Sequence, residues 1–207
     1  MIILGLTGSI GMGKSTAAGD FRRMGVAVHD ADAEVHQLMA PAGAAFAPLC
    51  QAFPDMVTAG TIDRRRLGDR VFADPAALRQ LEAILHPLVR QQKLWFLKKA
   101  AARGRRLVVL DIPLLFETGG EADCDGVCVV TAPKFVQRGR VLRRPGMSLG
   151  KFHRILASQV PDALKCEKAD FVIDTSRGRL VSRRMIRHIV DEVRLWHPCK
   201  WPSKRAL

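Results

Sequence analysis

Ile2-Ile3-Leu4-Gly5-Leu6-Thr7-Gly8-Ser9-Ile10-Gly11-Met12-Gly13-Lys14-Ser15-Thr16 lies at the start of the sequence and decides how the rest is read. Ile2 to Leu6 form a short continuous apolar run, suited to a strand covered on both faces. Gly8 to Ser15 then match G-x-x-x-x-G-K-[ST] in full, and Thr16 to Met24 read as a helix. Strand, glycine loop and helix in that order turn several backbone N–H groups toward one anion at a helix N-terminus. Glycines at 8, 11 and 13 let the backbone close around phosphate oxygens where a side chain would block the approach. Lys14 then reaches the β- and γ-phosphates, and the Ser15 hydroxyl ligates Mg²⁺. The stretch predicts a nucleoside triphosphate site with Mg²⁺, its contacts coming from Gly11, Met12, Gly13, Lys14, Ser15 and Thr16.

The charge is placed unevenly. The chain carries a formal +13, yet residues 1–90 hold nine basic and nine acidic side chains, and the excess lies wholly in 91–207. Between Lys134 and Lys168 nine basic residues face only Asp162 and Glu167. Such a field attracts polyanions, either nucleic acid or a phosphate-rich small substrate. The same segment offers only Phe135 and Phe152 for stacking, and the chain has no tyrosine, which is poor equipment for single-stranded bases. A nucleotide substrate accounts for the charge without a nucleic-acid partner, and the C-terminal cluster reads as solvated surface.

At 207 residues the chain suits one domain with a sizeable core. No basic leader precedes the apolar opening, and no stretch reaches bilayer-spanning length, so no membrane association is expected. Five cysteines are scattered; Cys124 and Cys128 form the only close pair, without a second pair to complete a zinc site. Buried thiols in a reducing cytoplasm are the expected reading. A monomer or weak homo-oligomer is expected.

Short apolar runs alternate with helical patterns, which predicts an α/β fold around a parallel sheet. The expected strands are 2–6, 26–29, 107–110, 127–131 and 171–173. Core segments at about 1–31, 105–133 and 168–196 belong to one unit spanning 1–207. A mostly helical insertion occupies about 32–104, where Leu78, Leu81, Ile84, Leu85 and Leu88 recur at helical spacing. A helix–break–helix segment at about 134–167 is interrupted at Pro145-Gly146, with Ser148 as the N-cap of its second half. A last helix spans about 180–195, followed by a basic tail at 197–207.

A phosphate loop alone leaves several reaction classes open. The chain contains no asparagine, so neither the guanine-reading N-K-x-D motif nor the metal-binding Asn of protein kinases is present. Asp123-Cys124-Asp125-Gly126 matches D-x-x-G by letters but precedes a strand, so it reads as chance. The length is short for a helicase or transporter ATPase, and a small-molecule kinase fits best. Such an enzyme needs a base for the acceptor hydroxyl, a carboxylate beside the metal, and cations over the transferring group. Asp30 and Asp32 follow the second strand, where ligands meet parallel sheets; either can serve as base, and one can cap the next helix. Asp111 ends the third strand, at the position of the metal-side carboxylate. Arg140, Arg143, Arg144 and Arg154 supply cations on a segment suited to a water-excluding lid.

Several segments together resemble dephospho-coenzyme A kinases. They are Leu6 to Thr16; Asp30-Ala31-Asp32 with His36; Leu85-His86-Pro87-Leu88-Val89-Arg90; Asp111-Ile112-Pro113-Leu114-Leu115-Phe116-Glu117; Gln137 with Arg140, Arg144, Arg154-Ile155 and Gln159; and Ala169 to Asp174. The resemblance runs in consistent order from the N-terminus to about residue 195. It implies a P-loop kinase fold with a parallel five-stranded sheet, a helical acceptor-binding insertion and a helical lid. It implies transfer of the ATP γ-phosphate to the ribose 3′-hydroxyl of dephospho-CoA, the last step of coenzyme A synthesis. Asp32 would take the hydroxyl proton, while Lys14, Arg140 and Arg144 hold the phosphoryl charge. Ser15 would serve Mg²⁺, with Asp111 beside it or beside the acceptor. Arg90 would hold the acceptor in the insertion, whose apolar surface takes the pantetheine arm; His86 is a site residue or, beside Pro87, a structural turn. Two positions depart from the family pattern: Pro145 stands where Asp is usual, and Thr175 where Asn is usual.

Overall fold

A computed structural model describes residues 1–202; residues 203–207 of the basic tail lie outside the described residues. In chain order the elements are β1 (Ile2–Thr7), α1 (Lys14–Arg23), β2 (Ala27–Asp30), α2 (Ala31–Leu38), α3 (Phe46–Ala52), β3 (Val57–Thr58), β4 (Thr61–Ile62), α4 (Arg64–Ala73) and α5 (Pro75–Ala102). They continue with β5 (Leu107–Asp111), β6 (Gly126–Thr131), α6 (Lys134–Leu142), α7 (Leu149–Ala157), α8 (Asp162–Glu167), β7 (Phe171–Asp174) and α9 (Arg179–Val193). The five expected strands are all present, each within two residues of its predicted ends.

They form one parallel five-stranded sheet in the order β2-β5-β1-β6-β7. β1 is central, and its register sets Leu6 opposite Asp111 on one side and Thr7 opposite Val129 on the other. All six β1 residues are buried, as a strand covered on both faces requires. The loop that leaves β1 therefore stands where the winding of the sheet reverses, the usual ligand position in such sheets.

Two compact units divide the chain. The first comprises Met1–His29 and the chain from Ala100 onward; the second is Asp30–Lys99. In the first, α1 buries Ala17, Ala18 and Phe21 on one face, against a core that includes Leu4, Leu6, Cys128, Val130, Ile173, Ile186 and Val190. The same α1 face carries Asp20, 1% exposed, which accepts from Arg183 Nε of α9 at 3.0 Å and Arg23 at 2.7 Å. Asp125, read as chance in a D-x-x-G string, is structural: it accepts from Ile3 N–H at 2.7 Å and from Cys199 N–H at 2.6 Å. It thereby pins the chain after α9 to the start of β1. Cys124 and Cys128 are buried thiols, and burial pushes the Cys128 thiol far up.

The second unit has its own core around Leu49, Phe53, Leu67 and Leu85. Two features escape sequence reading. β3 and β4 pair as an antiparallel hairpin through Ala59-Gly60, both with positive φ (49° and 71°). The mirror-image turn demands that conformation, but Ala-Gly is a weak signal for it. The turn considered at His86-Pro87 is not there: α5 continues through Pro87. Pro87 forfeits the bond to the Ala83 carbonyl, and Ala83 is exposed, so water can replace it.

Phe21 is fully buried, so Phe21→Ala should cost about 3–5 kcal/mol of stability. Urea unfolding should show a lower midpoint at unchanged slope; a shift under about 1 kcal/mol would remove this face of α1 from the core.

Candidate active site

The loop Gly8–Ser15 leaves β1 and enters α1 without a side-chain N-cap, because Gly13 stands at the cap position with φ 93°. The first N–H groups of α1 are thus left for a ligand. Gly11 also has positive φ (80°), and a Cβ there would lie 2.4 Å from Val141 Cγ2. A Cβ on Gly8 would meet the Val130 carbonyl at 2.6 Å, a contact that no rotamer change relieves.

What holds this loop open is a set of outward-facing carbonyls. Ile10 O accepts from Gln137 Nε2 at 2.8 Å, Gly11 O from Arg140 at 3.5 Å, and Met12 O from Thr175 Oγ1 at 2.8 Å. In a trans peptide the C=O and the following N–H point in opposite directions. Carbonyls drawn outward therefore turn the N–H groups of Gly11 and Gly13 toward the concave side. None of the described residues accepts from the N–H groups of Gly11, Gly13, Lys14 or Ser15. Four converging donors at a helix N-terminus are an anion seat.

Lys14 and Asp111 supply the charge beside it. Lys14 Nζ lies 2.5 Å from Asp111 Oδ1, and the two side chains are 15% and 3% exposed. Asp111 is the last residue of β5, so the neighbouring strand fixes where the ammonium sits. Ser15 and Thr16 lie exposed on the first turn of α1. Met12 contributes backbone only, since its side chain is in the core at 2% exposure.

The basic segment folds as the break predicts: α6 and α7 flank Pro145-Gly146, and Ser148 Oγ caps α7 by accepting from Lys151 N–H at 3.2 Å. α8 is a separate third helix. Arg140 is half-buried and turned to the loop, donating to Thr175 Oγ1 and Thr175 O, both at 2.8 Å. Arg143, Arg144 and Arg154 are exposed. Thr175, the departure from the family pattern, fills the family position with a hydroxyl that donates to Met12 O and accepts from Arg140. Asp174 braces that turn; the Ser176 hydroxyl and N–H hold its carboxyl below the usual range.

A second ion pair went unread in the sequence. Lys165 is fully buried, with Nζ 2.7 Å from Glu117 Oε1, and the same carboxyl oxygen accepts from Val160 N–H at 2.9 Å. Burial pushes the Glu117 carboxyl up, but the Lys165 ammonium and the Val160 N–H outweigh it and leave it below the glutamate range. Among nine basic residues of one segment, nothing in the letters marks Lys165 as the buried one.

In the second unit, Asp30 caps α2 by accepting from Ala33 N–H at 3.0 Å, and Asp32 is exposed on its first turn. His36 Nδ1 bonds Arg64. His86 and Arg90 are exposed on α5, and a groove of about 560 Å³ beside Arg90 is lined by Leu88, Leu94, Trp95 and Lys98.

A parallel sheet in this strand order, with a triphosphate-type loop after the central strand and a carboxylate ending its neighbour, defines a phosphate-loop kinase. The sequence model of the family "Dephospho-CoA kinase" matches residues 2–180. A dephospho-CoA kinase of Mesorhizobium japonicum is 55% identical over 195 residues, 94% of this chain and 98% of that one. The one from Bradyrhizobium diazoefficiens is 50% identical over 206 residues, covering 100% of both. Among solved structures, TT1252 from Thermus thermophilus superposes with TM-score 0.82 at 36% identity, covering 93% and 97% of the two chains. Dephospho-CoA kinase from Campylobacter jejuni gives 0.62 at 25% identity, covering 92% and 96%. The chain belongs to the dephospho-CoA kinase family and is a kinase that phosphorylates dephospho-CoA with ATP in coenzyme A synthesis.

Thr175→Val keeps shape and removes the hydroxyl that joins Met12 O to Arg140. Its KM for ATP should rise about tenfold with a small change in melting temperature, measured by steady-state kinetics and calorimetry. An unchanged KM would separate Thr175 from the loop geometry.

Folding lowers the Glu117 pKa, so the stability it contributes is full above the glutamate range and is lost as pH falls through the folded value. Glu117→Gln strands the buried Lys165 ammonium and should cost about 3–5 kcal/mol at neutral pH. The gap to the parent protein should narrow in urea titrations at about pH 3. A gap independent of pH would mean that Glu117 is not ionised in the folded protein.

Proposed function

We propose that the loop Gly8–Ser15 seats the ATP triphosphate, through the N–H groups of Gly11, Gly13, Lys14 and Ser15, with Met12 and the exposed Thr16 beside them. From there the γ-phosphoryl group passes to the ribose 3′-hydroxyl of dephospho-CoA. The observation that carries this is the outward hold on the carbonyls of Ile10 and Met12, which turns the N–H groups of Gly11 and Gly13 to the concave side of the loop. Lys14 balances the charge of the transferring group, and Asp111 holds the lysine in place. Arg140 steadies the loop and adds positive potential; Arg144, exposed near the Pro145-Gly146 turn, covers the phosphoryl group when the segment closes.

Asp32 takes the proton of the attacking hydroxyl. In support, Asp30 already serves as the cap of α2, so the Asp32 carboxylate is not needed for that. Arg90 and His86 contact the acceptor, and the groove beside Arg90, with Leu94 and Trp95, suits the apolar stretches of a pantetheine arm. Departure of the γ-phosphoryl group leaves ADP, and no covalent enzyme intermediate is required.

The oxygen set fits Mg²⁺ as a nucleotide-borne ion. Ser15 offers a hydroxyl and Asp111 a carboxylate, both hard donors, and among the described residues no group of three or more His, Cys, Asp or Glu forms a metal cage. Mg²⁺ held by Ser15 and Asp111 would neutralise developing charge on the phosphate oxygens.

The protein acts as a monomer or weak homo-oligomer on small molecules in the cytoplasm, without nucleic acid or membrane. No helix among the described residues is long and apolar enough to cross a membrane, and two phosphorylated substrates account for a basic lid.

The test is ADP release from Mg-ATP with and without dephospho-CoA, with the product weighed. Acceptor-dependent release and a product heavier by one phosphoryl group are expected. Asp32→Asn should lower kcat about 10²–10⁴-fold while ADP affinity stays within a few-fold. Normal turnover by this variant would remove Asp32 as the base.

A further inference from the structure

Ile10 is held on both of its hydrogen-bonding groups, and both partners are glutamines. Gln137 on α6, 4% exposed, donates from Nε2 to Ile10 O at 2.8 Å. Gln159, between α7 and α8, accepts through Oε1 from Ile10 N–H at 3.1 Å. The two stand at opposite roots of the basic hairpin: everything from Arg138 to Ser158, with its exposed Arg143, Arg144 and Arg154, lies between them. Each amide's orientation follows from its partner, since a carbonyl requires a donor and an N–H requires an acceptor.

We infer that Gln137 and Gln159 are positioning residues for phosphoryl transfer, a donor and an acceptor that lock the two peptides of Ile10 and tie both roots of the lid to the phosphate seat. Gly11 follows Ile10, and glycine imposes almost no preference on its own backbone. The Ile10–Gly11 peptide would rotate readily without an external hold, and the Gly11 N–H would leave the anion. Gln137 prevents this by drawing Ile10 O outward. Gln159 holds the preceding peptide, so the pair fixes both planes that meet at Ile10.

The Gln159 root is itself anchored. The next residue, Val160, donates its N–H to Glu117 Oε1, and Glu117 is held by the buried Lys165. Glu117 lies six residues beyond Asp111, the partner of Lys14. The loop after β5 therefore anchors the ammonium at one end and the lid root at the other. With both roots fixed at Ile10 and Arg140 held to Gly11 O and Thr175, the exposed turn at Arg143 to Gly146 is the part left to move over the nucleotide. A displacement of either root is transmitted to the Gly11 N–H.

This inference rests on the loop being the ATP seat. It gives the two glutamines opposite chemical requirements, and a carboxylate meets only one of them. Gln159→Glu keeps an acceptor for Ile10 N–H, whereas Gln137→Glu removes the donor and sets a carboxylate against Ile10 O. Both add the same charge beside the same residue, so their difference isolates the hydrogen bonds from the added charge. ADP affinity by calorimetry and KM and kcat for ATP should be measured for both, and for Gln137→Met and Gln159→Met. Gln137→Glu is expected to lose about tenfold more ADP affinity than Gln159→Glu. Both Met variants should raise KM for ATP about tenfold and lower kcat, with melting temperatures near the parent value. Equal losses in the two Glu variants, or parental affinity in the Met variants, would overturn the inference. Lys14→Ala separates the two levels. If it binds ADP as the parent does, the ATP seat itself is wrong; if it loses ADP while the Gln variants do not, only the glutamine brace falls.

Discussion

Everything in this site depends on three peptide carbonyls being pulled the same way. A loop rich in glycine has the freedom to wrap an anion, and by the same token no stiffness to stay wrapped. The stiffness is imported. Gln137 and Arg140 come from α6, and Thr175 from the turn after β7; they hold Ile10, Gly11 and Met12 from outside. Because carbonyl and next N–H are antiparallel, this external grip sets the internal donors. The sheet and lid thus serve the loop as a frame, and the order β5-β1-β6-β7 brings those partners around β1.

Two ion pairs with buried carboxylates or ammonium groups carry different duties. Lys14–Asp111 sits at the C-terminal edge of β1 and β5, beside the open end of the glycine loop, and keeps a cation in place at a defined point. Glu117–Lys165 instead holds the backbone N–H of Val160, between α7 and α8. Neither pair is to be read as net stabilisation, since desolvation offsets much of the attraction. Their value lies in position: each is costly to break singly, so each fixes its backbone. The exposed Arg143, Arg144 and Arg154 of the hairpin are the opposite case: packing fixes none of them.

The second unit divides two neighbouring carboxylates between a capping position and an exposed one. Asp30 ends β2 and Asp32 stands two residues on; the helix start uses Asp30, leaving Asp32 exposed. The long helix that carries His86 and Arg90 runs through Pro87, which forfeits its bond next to the exposed Ala83. Family membership rests on motifs spread over residues 2–180, and at Thr175, where the letters depart from the family pattern, a hydroxyl joins Met12 O to Arg140.

By itself the sequence determined the strands, the phosphate loop, the lid break with its Ser148 cap, and the reaction class. Those are local signals: apolar runs, glycine spacing and a capping residue act over a few neighbours. The family resemblance added the substrate, because ordered motifs survive without the fold. Only tertiary structure decided which of nine basic residues in the lid segment is buried, that Asp125 anchors the chain after α9, that Met12 packs inward, and that Gln137 and Gln159 meet on one residue. Each of these depends on contacts between positions distant in the chain, and a side chain's partner across such a gap is set by the packing of whole elements. Composition and periodicity say what an element is. They do not say what it touches.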